Sequence, residues 1–217
     1  MGDVFQVFLR DDFLTLLRQH IVLSVAAVVI AVAVAVPVAL AVRNTRVGAI
    51  IAINIGNLGR AIPSLALLAI ALPFLGFGFW PALVALTLTA IPPILINAST
   101  ALRQVDRQVL DAARGMGLSE GQILGQVQLP IAAPVIFAGI RTSAVQVVAN
   151  ATLATFIGGG ALGELIVLGF QSANLSVQIG GALAVAALAI TTEVLFGSIE
   201  RTFTPKGLQI AQKRRGK

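Results

Sequence analysis

Five long apolar runs separated by short polar stretches set the rhythm of this sequence. They cover Ile21 to Val42, about Ala49 to Leu72, about Trp80 to Leu102, about Pro130 to Ala154 and about Val177 to Ser198. Each exceeds the roughly 18 apolar residues that a helix needs to cross a bilayer. The first run is rich in Val and Ala, is too long for a signal-peptide core and follows no basic segment, so it reads as a retained span. Arg60 and Pro63 interrupt the second run, and the third contains Pro92-Pro93. Ahead of the first run, Met1 to His20 is mixed and slightly acidic. Val4, Phe5, Phe8, Leu9, Phe13, Leu16 and Leu17 give it the pattern of an amphipathic surface helix. Phe74 to Phe79 reads as a short turn, with Trp80 placed as an interfacial aromatic. Gly158-Gly159-Gly160 and Gly163-Glu164 mark a loop or interfacial segment, and Gly159-x-x-x-Gly163 also fits close helix approach. The expected fold is an all-α integral membrane protein with about five transmembrane helices. A single membrane domain, residues 21–200, lies between an N-terminal segment, 1–20, and a basic tail, 201–217.

Between the third and fourth runs, residues 103–130 form the longest polar stretch. Within it, Asp111 to Pro130 predicts two short helices and a sharp turn. Val109, Ala112, Ala113 and Met116 fall at i, i+3, i+4 and i+7, one narrow apolar face. Gly115 and Gly117 end that helix, and Gly117 suits the left-handed residue that closes it. Ser119 is a good N-cap for the second helix. Gln122 three residues on completes a capping box, and Leu118 can staple onto Ile123. Pro130 fits the first turn of the helix that follows.

Composition agrees with a membrane protein: 57% of residues are hydrophobic and 11% charged, against about 25% charged in soluble domains. The net charge of +6 comes from cations in the loops and tail, which fits topology better than nucleic-acid binding. With the N-terminus outside, five spans place eleven cations inside: Arg43, Arg46, Arg103, Arg107, Arg114, Arg201, Lys206, Lys213, Arg214, Arg215 and Lys217. Only Arg10 and Arg18 then lie outside, a positive-inside split that puts the polar hairpin in the cytoplasm. The GxxxxGK[ST] loop that cradles nucleotide phosphates is missing. The lone His20, at the outer edge of the first span, and the lack of Cys argue against a metal site or a catalytic triad.

Asp111-Ala112-Ala113, then Gly117, then Val127-x-Leu129-Pro130 resembles the signature loop of ABC-importer permeases. That family writes it Glu-Ala-Ala, three residues, Gly, nine residues, Ile-x-Leu-Pro; Asp111 and Val127 are the departures. The resemblance implies that Asp111, Ala112, Ala113, Gly117, Leu118, Ser119, Leu129 and Pro130 form a cytoplasmic coupling loop whose helix docks on an ATPase subunit. It implies two ATP-binding subunits that carry the ATP and Mg, leaving no cofactor in this chain. It also implies a second permease subunit, identical or related, and a separate extracytoplasmic solute-binding protein. Further segments resemble the permeases that import compatible solutes such as glycine betaine, choline and carnitine. They are Ala61 to Leu68, Ile91-Pro92-Pro93-Ile94 with Asn97, Pro134 to Thr142, Ala151 to Ala154 and Ile157 to Gly163. The family places the glycine segment near the outer gate, and Arg60 stands where Gln or Thr is usual. Candidate pathway or gate residues are accordingly Arg60, Pro63, Ser64, Pro92, Pro93, Asn97, Arg141, Gly158, Gly159 and Gly160. The expected function is import of a quaternary amine by alternating access driven by the ATPase partners. A methionine-type amino-acid permease and an ion-gradient-driven secondary transporter are the alternatives.

Several of these residues also have plainer readings. Arg107 and Arg114 flank Asp111 at i−4 and i+3, which permits simple surface pairs. The prolines are tolerated in membrane helices and can merely shape packing. Arg141 and Glu193 are charges within spans, where a lone charge costs roughly 2.5–3.5 kcal/mol on insertion scales. Their depths allow a structural Arg141–Glu193 pair, with a place on the translocation path as the second reading.

Overall fold

A computed structural model describes residues 2–203, which are helical almost throughout. After a helical turn α1 (Gly2–Phe5) and a 3-10 turn (Gln6–Leu9), the chain forms α2 (Phe13–Val42), α3 (Arg46–Ala61), α4 (Ser64–Leu75) and α5 (Phe79–Gln104). The polar hairpin is α6 (Arg107–Gly115) and α7 (Glu120–Ile123). A π turn (Leu124–Gln128) leads on into α8 (Leu129–Asn150), a 3-10 segment (Ala151–Ile157), α9 (Gly163–Gln171) and α10 (Leu175–Phe203). Four helical runs are long and apolar enough to cross a membrane, or five if α3 and α4 count as one span.

Helix α5 is the centre, packed against α2, α3, α4 and α8. On α2, Leu23, Ala27, Ala31, Ala35 and Ala39 recur every fourth residue and are buried, while Val22, Val25, Val29, Val34 and Val38 are exposed. Small side chains on the buried stripe let backbones approach closely, which matters in lipid, where apolar burial gives little drive. The same logic holds the glycines. A Cβ on Gly56 or Gly59 would press on Ile96 or Pro92 of α5, and one on Gly139 would press on Asn97. A second, smaller core joins Val7 and Leu16 to Leu162, Leu165 and Ala184.

The structure corrects several expectations. The second run, expected to be interrupted at Arg60 and Pro63, is interrupted there by a full break: α3 and α4 meet at an 89° bend. Pro63 disfavours the helical conformation in the residue before it, and Ile62 is extended at ψ 123°. Pro92 and Pro93, by contrast, sit inside an unbroken α5. Thr89, Asn97 and Ser143 donate hydrogen bonds to the carbonyls of Leu86, Pro93 and Ala90 around them. The first span starts at Phe13 rather than Ile21. Residues 1–20 therefore hold no single amphipathic helix; the described part breaks at Arg10–Asp12, closed by a 2.9 Å ion pair. The glycine segment has two readings, a loop or an interfacial segment, and its second half is a short helix that begins at Gly163. Gly159 and Gly163 do not share a helix face, because Gly158 and Gly160 turn the backbone through positive φ. On α10, Gly180 allows close approach to Val7 and Gly181 to Leu165. The basic tail Lys213-Arg214-Arg215-Gly216-Lys217 lies outside the described residues.

Polar residues gather at the two ends of the bundle. Arg43, Asn44, Arg103, Arg107, Asp111, Arg114 and Gln128 surround a cavity of about 540 Å³ at one end. Arg18, Gln19, Phe79, Gly158, Gly159, Gly160 and Glu164 surround one of about 710 Å³ at the other.

Candidate functional site

The hairpin closes as its sequence dictates. Asp106 caps α6 by accepting from the Gln108 amide at 2.9 Å. At the far end, Gly117 has φ +85°. Its amide donates to the Arg114 carbonyl at 2.9 Å and the Leu118 amide reaches back to the Ala113 carbonyl at 3.2 Å. These two bonds form a Schellman closure, which favours glycine at that position. Ser119 and Gln122 form the expected capping box: the Gln122 amide donates to Ser119 Oγ at 3.4 Å, and the Ser119 amide donates to Gln122 Oε1 at 2.9 Å.

One guanidinium joins the two arms. Arg114 lies 2.8 Å from Asp111 on its own helix and 2.8 Å from Glu120 on the next. The two carboxylates push the Arg114 pKa further above its ordinary value, the Glu120 hydrogen bond acting most. Sequence reasoning found the Asp111 partner and missed Glu120, an acid in the first turn of α7. Of the apolar face, only Ala113 is buried within the chain. Ala112, Val109 and Met116 stand exposed, with Met116 at 73%.

The second arm does not stop at the hairpin. α7, the π turn, α8 and the 3-10 segment form one run of 38 residues, Glu120–Ile157, about 57 Å long at the α-helical rise. Pro130 has no amide proton. The register widens to five residues just before it, with the Leu129 amide on the Leu124 carbonyl, so the run bends its ladder without breaking. Gln128 in this turn is buried and donates to the Leu102 carbonyl at 2.9 Å, tying the run to the end of α5. Leu129 is half-buried and Pro130 exposed.

At its other end the run delivers the glycine turn. Gly158 is left-handed, and the Gly159 amide returns to the Ala154 carbonyl at 2.8 Å. The Gly78 amide donates to the Ile157 carbonyl at 2.7 Å, joining this turn to the one between α4 and α5. Gly163 is obligatory for a different reason, since a Cβ there would overlap the Thr152 carbonyl.

The remaining candidates are spread out. Arg60 is exposed in the last turn of α3, where a cation suits the helix dipole. Pro63 forms the bend and Ser64 opens α4. Pro92 and Pro93 are buried against glycines, and the Asn97 amide is satisfied by Pro93. Arg141 pairs with Glu193, as expected from their depths, and also with Glu200 at 3.1 Å, which was not expected. Glu193 and Glu200 are seven residues apart and so share a face of α10. Gly197 between them leaves room for the Arg141 guanidinium, 3.4 Å from where its Cβ would be.

Two substitution experiments follow. At Gly117 there is open space but a left-handed backbone, so Gly117→Val meets a strain of about 1–2 kcal/mol without a clash. Gly117→Val should insert normally and lose co-purification with the ATPase subunit that the loop's resemblance implies, while Gly117→Asn should keep it. Arg141→Gln removes the guanidinium that pairs with Glu193 and Glu200 and should lower the folded yield in membranes. Converting Glu193 and Glu200 to Gln as well should recover most of that yield, measured by size-exclusion chromatography in detergent.

The family described as "Binding-protein-dependent transport system inner membrane component" matches residues 27–206. The chain is 42% identical over 191 residues to the choline transport system permease protein OpuBB of Bacillus subtilis (strain 168), covering 88% of each. It is 41% identical to the glycine betaine/carnitine/choline transport system permease protein OpuCB of the same organism, again covering 88% of each. With the carnitine transport permease protein OpuCB of Listeria monocytogenes it shares 40% identity over 195 residues, 90% of this chain and 89% of that one. Among solved structures, inward-facing conformations of the MetNI methionine ABC transporter have the same fold. The TM-score is 0.77 at 24% identity, over 90% of this chain and 100% of that one. An all-helical membrane bundle with a capped polar hairpin thus belongs to the family of inner-membrane permease components of binding-protein-dependent ABC importers.

Proposed function

We propose that this chain carries quaternary-amine osmoprotectants, of the glycine betaine, choline and carnitine class, through the membrane. About 40% identity along nearly the whole chain to three permeases named for those solutes is the observation that carries the reading. In this reading the N-terminus is outside, and the hairpin and the basic cavity beside it are cytoplasmic. Two ATPase subunits grip two hairpins, one on this chain and one on a second permease subunit. An extracytoplasmic binding protein delivers the solute. Exposed apolar faces on α3 and α10, with Ile51, Ile55, Leu58, Ile190 and Val194 among their residues, meet lipid or the second subunit.

The hairpin's rigidity supports the coupling role. A closed turn, a double cap and an Arg114 bridge hold α6 and α7 as one unit, and that unit continues into α8. A push on the exposed Val109–Met116 face is then transmitted along the run to the glycine turn at the other end. No proton transfer or covalent chemistry is asked of this chain; its work is mechanical, and the hydrolysis of ATP belongs to the partner. The likeness to the methionine transporter is one of fold, so methionine enters as the competing outcome of the test.

Uptake by host cells with and without this chain, after an osmotic upshift, decides the solute. Labelled glycine betaine, choline or carnitine uptake should fall at least tenfold on deletion while methionine uptake is unchanged. Loss of methionine uptake alone would overturn the solute.

A further inference from the structure

We infer that His20 is a positioning residue that fixes the glycine turn onto the long helical run, and that transport depends on its hydrogen bond to that turn. This rests on the proposed function in one respect, the movement of the turn with solute passage. His20 is the only histidine of the chain and is fully buried in α2. Its Nδ1 accepts a hydrogen bond from the Leu162 amide at 3.2 Å. An accepting Nδ1 carries no proton, so the ring is neutral and its proton is on Nε2, which lies 2.9 Å from the Val148 carbonyl and donates to it. Both nitrogens are therefore used, on partners 128 and 142 residues away in sequence.

Each partner is a place where the backbone needs help. Val148 lies in the last turn of α8, just before the register tightens to 3-10 at Ala151. Carbonyls at such a step lose helical donors. Leu162 follows Gly158, Gly160 and Ala161, all at positive φ, and opens α9. For Ala161 that conformation is uncommon and strained, so it persists only where its surroundings hold it. Ala161 and Leu162 are both fully buried, and the Leu162 amide would be an orphan without the imidazole. His20 therefore sets where the turn sits relative to α8, next to the outer cavity that Gln19 and Gly160 also line.

Two substitutions separate the bonds. In His20→Asn, Oδ1 takes the place of Nδ1 and keeps the acceptor for Leu162. In His20→Gln, Nε2 keeps the donor to Val148 and the turn loses its acceptor. With the full transporter in proteoliposomes, both variants should assemble and hydrolyse ATP. His20→Asn should import within about threefold of the unsubstituted protein, and His20→Gln should import at least tenfold less per ATP. Imidazole ¹⁵N shifts of the unsubstituted transporter should show protonated Nε2 and an unprotonated, hydrogen-bonded Nδ1. Equal import per ATP by both variants, the opposite order, failure of His20→Gln to assemble, or the other tautomer would each overturn the inference. An error in the solute assignment shows separately, as absent quaternary-amine uptake by the unsubstituted transporter.

Discussion

Backbone amides and carbonyls inside hydrocarbon have no water to turn to, and this fold is arranged by that constraint. Where the chain leaves the helix within its membrane domain, a named group takes up the loose ends. Around the proline pair, which stays inside an unbroken α5, Thr89, Asn97 and Ser143 donate to the carbonyls of Leu86, Pro93 and Ala90. After the break at Ile62, the Pro63 carbonyl collects the amides of Ala66 and Leu67. The glycine turn is held by Gly78, Ala154 and His20. At the glycine turn part of this partnering comes from other elements, through the Gly78 amide and the His20 imidazole.

This partnering gives the molecule its mechanics. The hairpin and the glycine turn lie at opposite ends of a single run from Glu120 to Ile157. Besides Pro134, which has no amide to give, two changes of register remain within it, the π turn before Pro130 and the 3-10 step after Asn150. Each is fastened sideways, the first to the end of α5 through Gln128 and the second to α2 through His20. Arg141, paired with Glu193 and Glu200, ties α8 to α10.

How legible this was follows from the range of each interaction. The hairpin was readable because its determinants lie within five residues of one another: Gly117 for the left-handed turn, Ser119 and Gln122 for the cap. Membrane spans were readable as composition, but their shapes were not. An apolar window does not register an 89° bend, although Pro63 was in view. The true start of α2 was hidden because Arg18, Gln19 and His20 look like a polar flank. Only partners far away in sequence make His20 an interior residue. Glu200 was missed because it lies just past the apolar run that ends near Ser198, yet its spacing of seven from Glu193 was the signal to look for. Gly159 and Gly163 misled in the other direction, because a spacing rule for helices was applied where Gly158 and Gly160 prevent one.

The most direct test is whether hairpin and outer turn move as one body. The chain contains no cysteine, so spin labels at Gln122→Cys and Phe156→Cys report on the run without interference. At helical rise these positions lie about 50 Å apart. The account predicts that this distance stays fixed within about 2 Å when ATP binds the assembled transporter, while the distance from Gln122 to a label at Ile51 on α3 changes by more than that. A Gln122–Phe156 distance that changes with ATP, while the α3 distance does not, would contradict it.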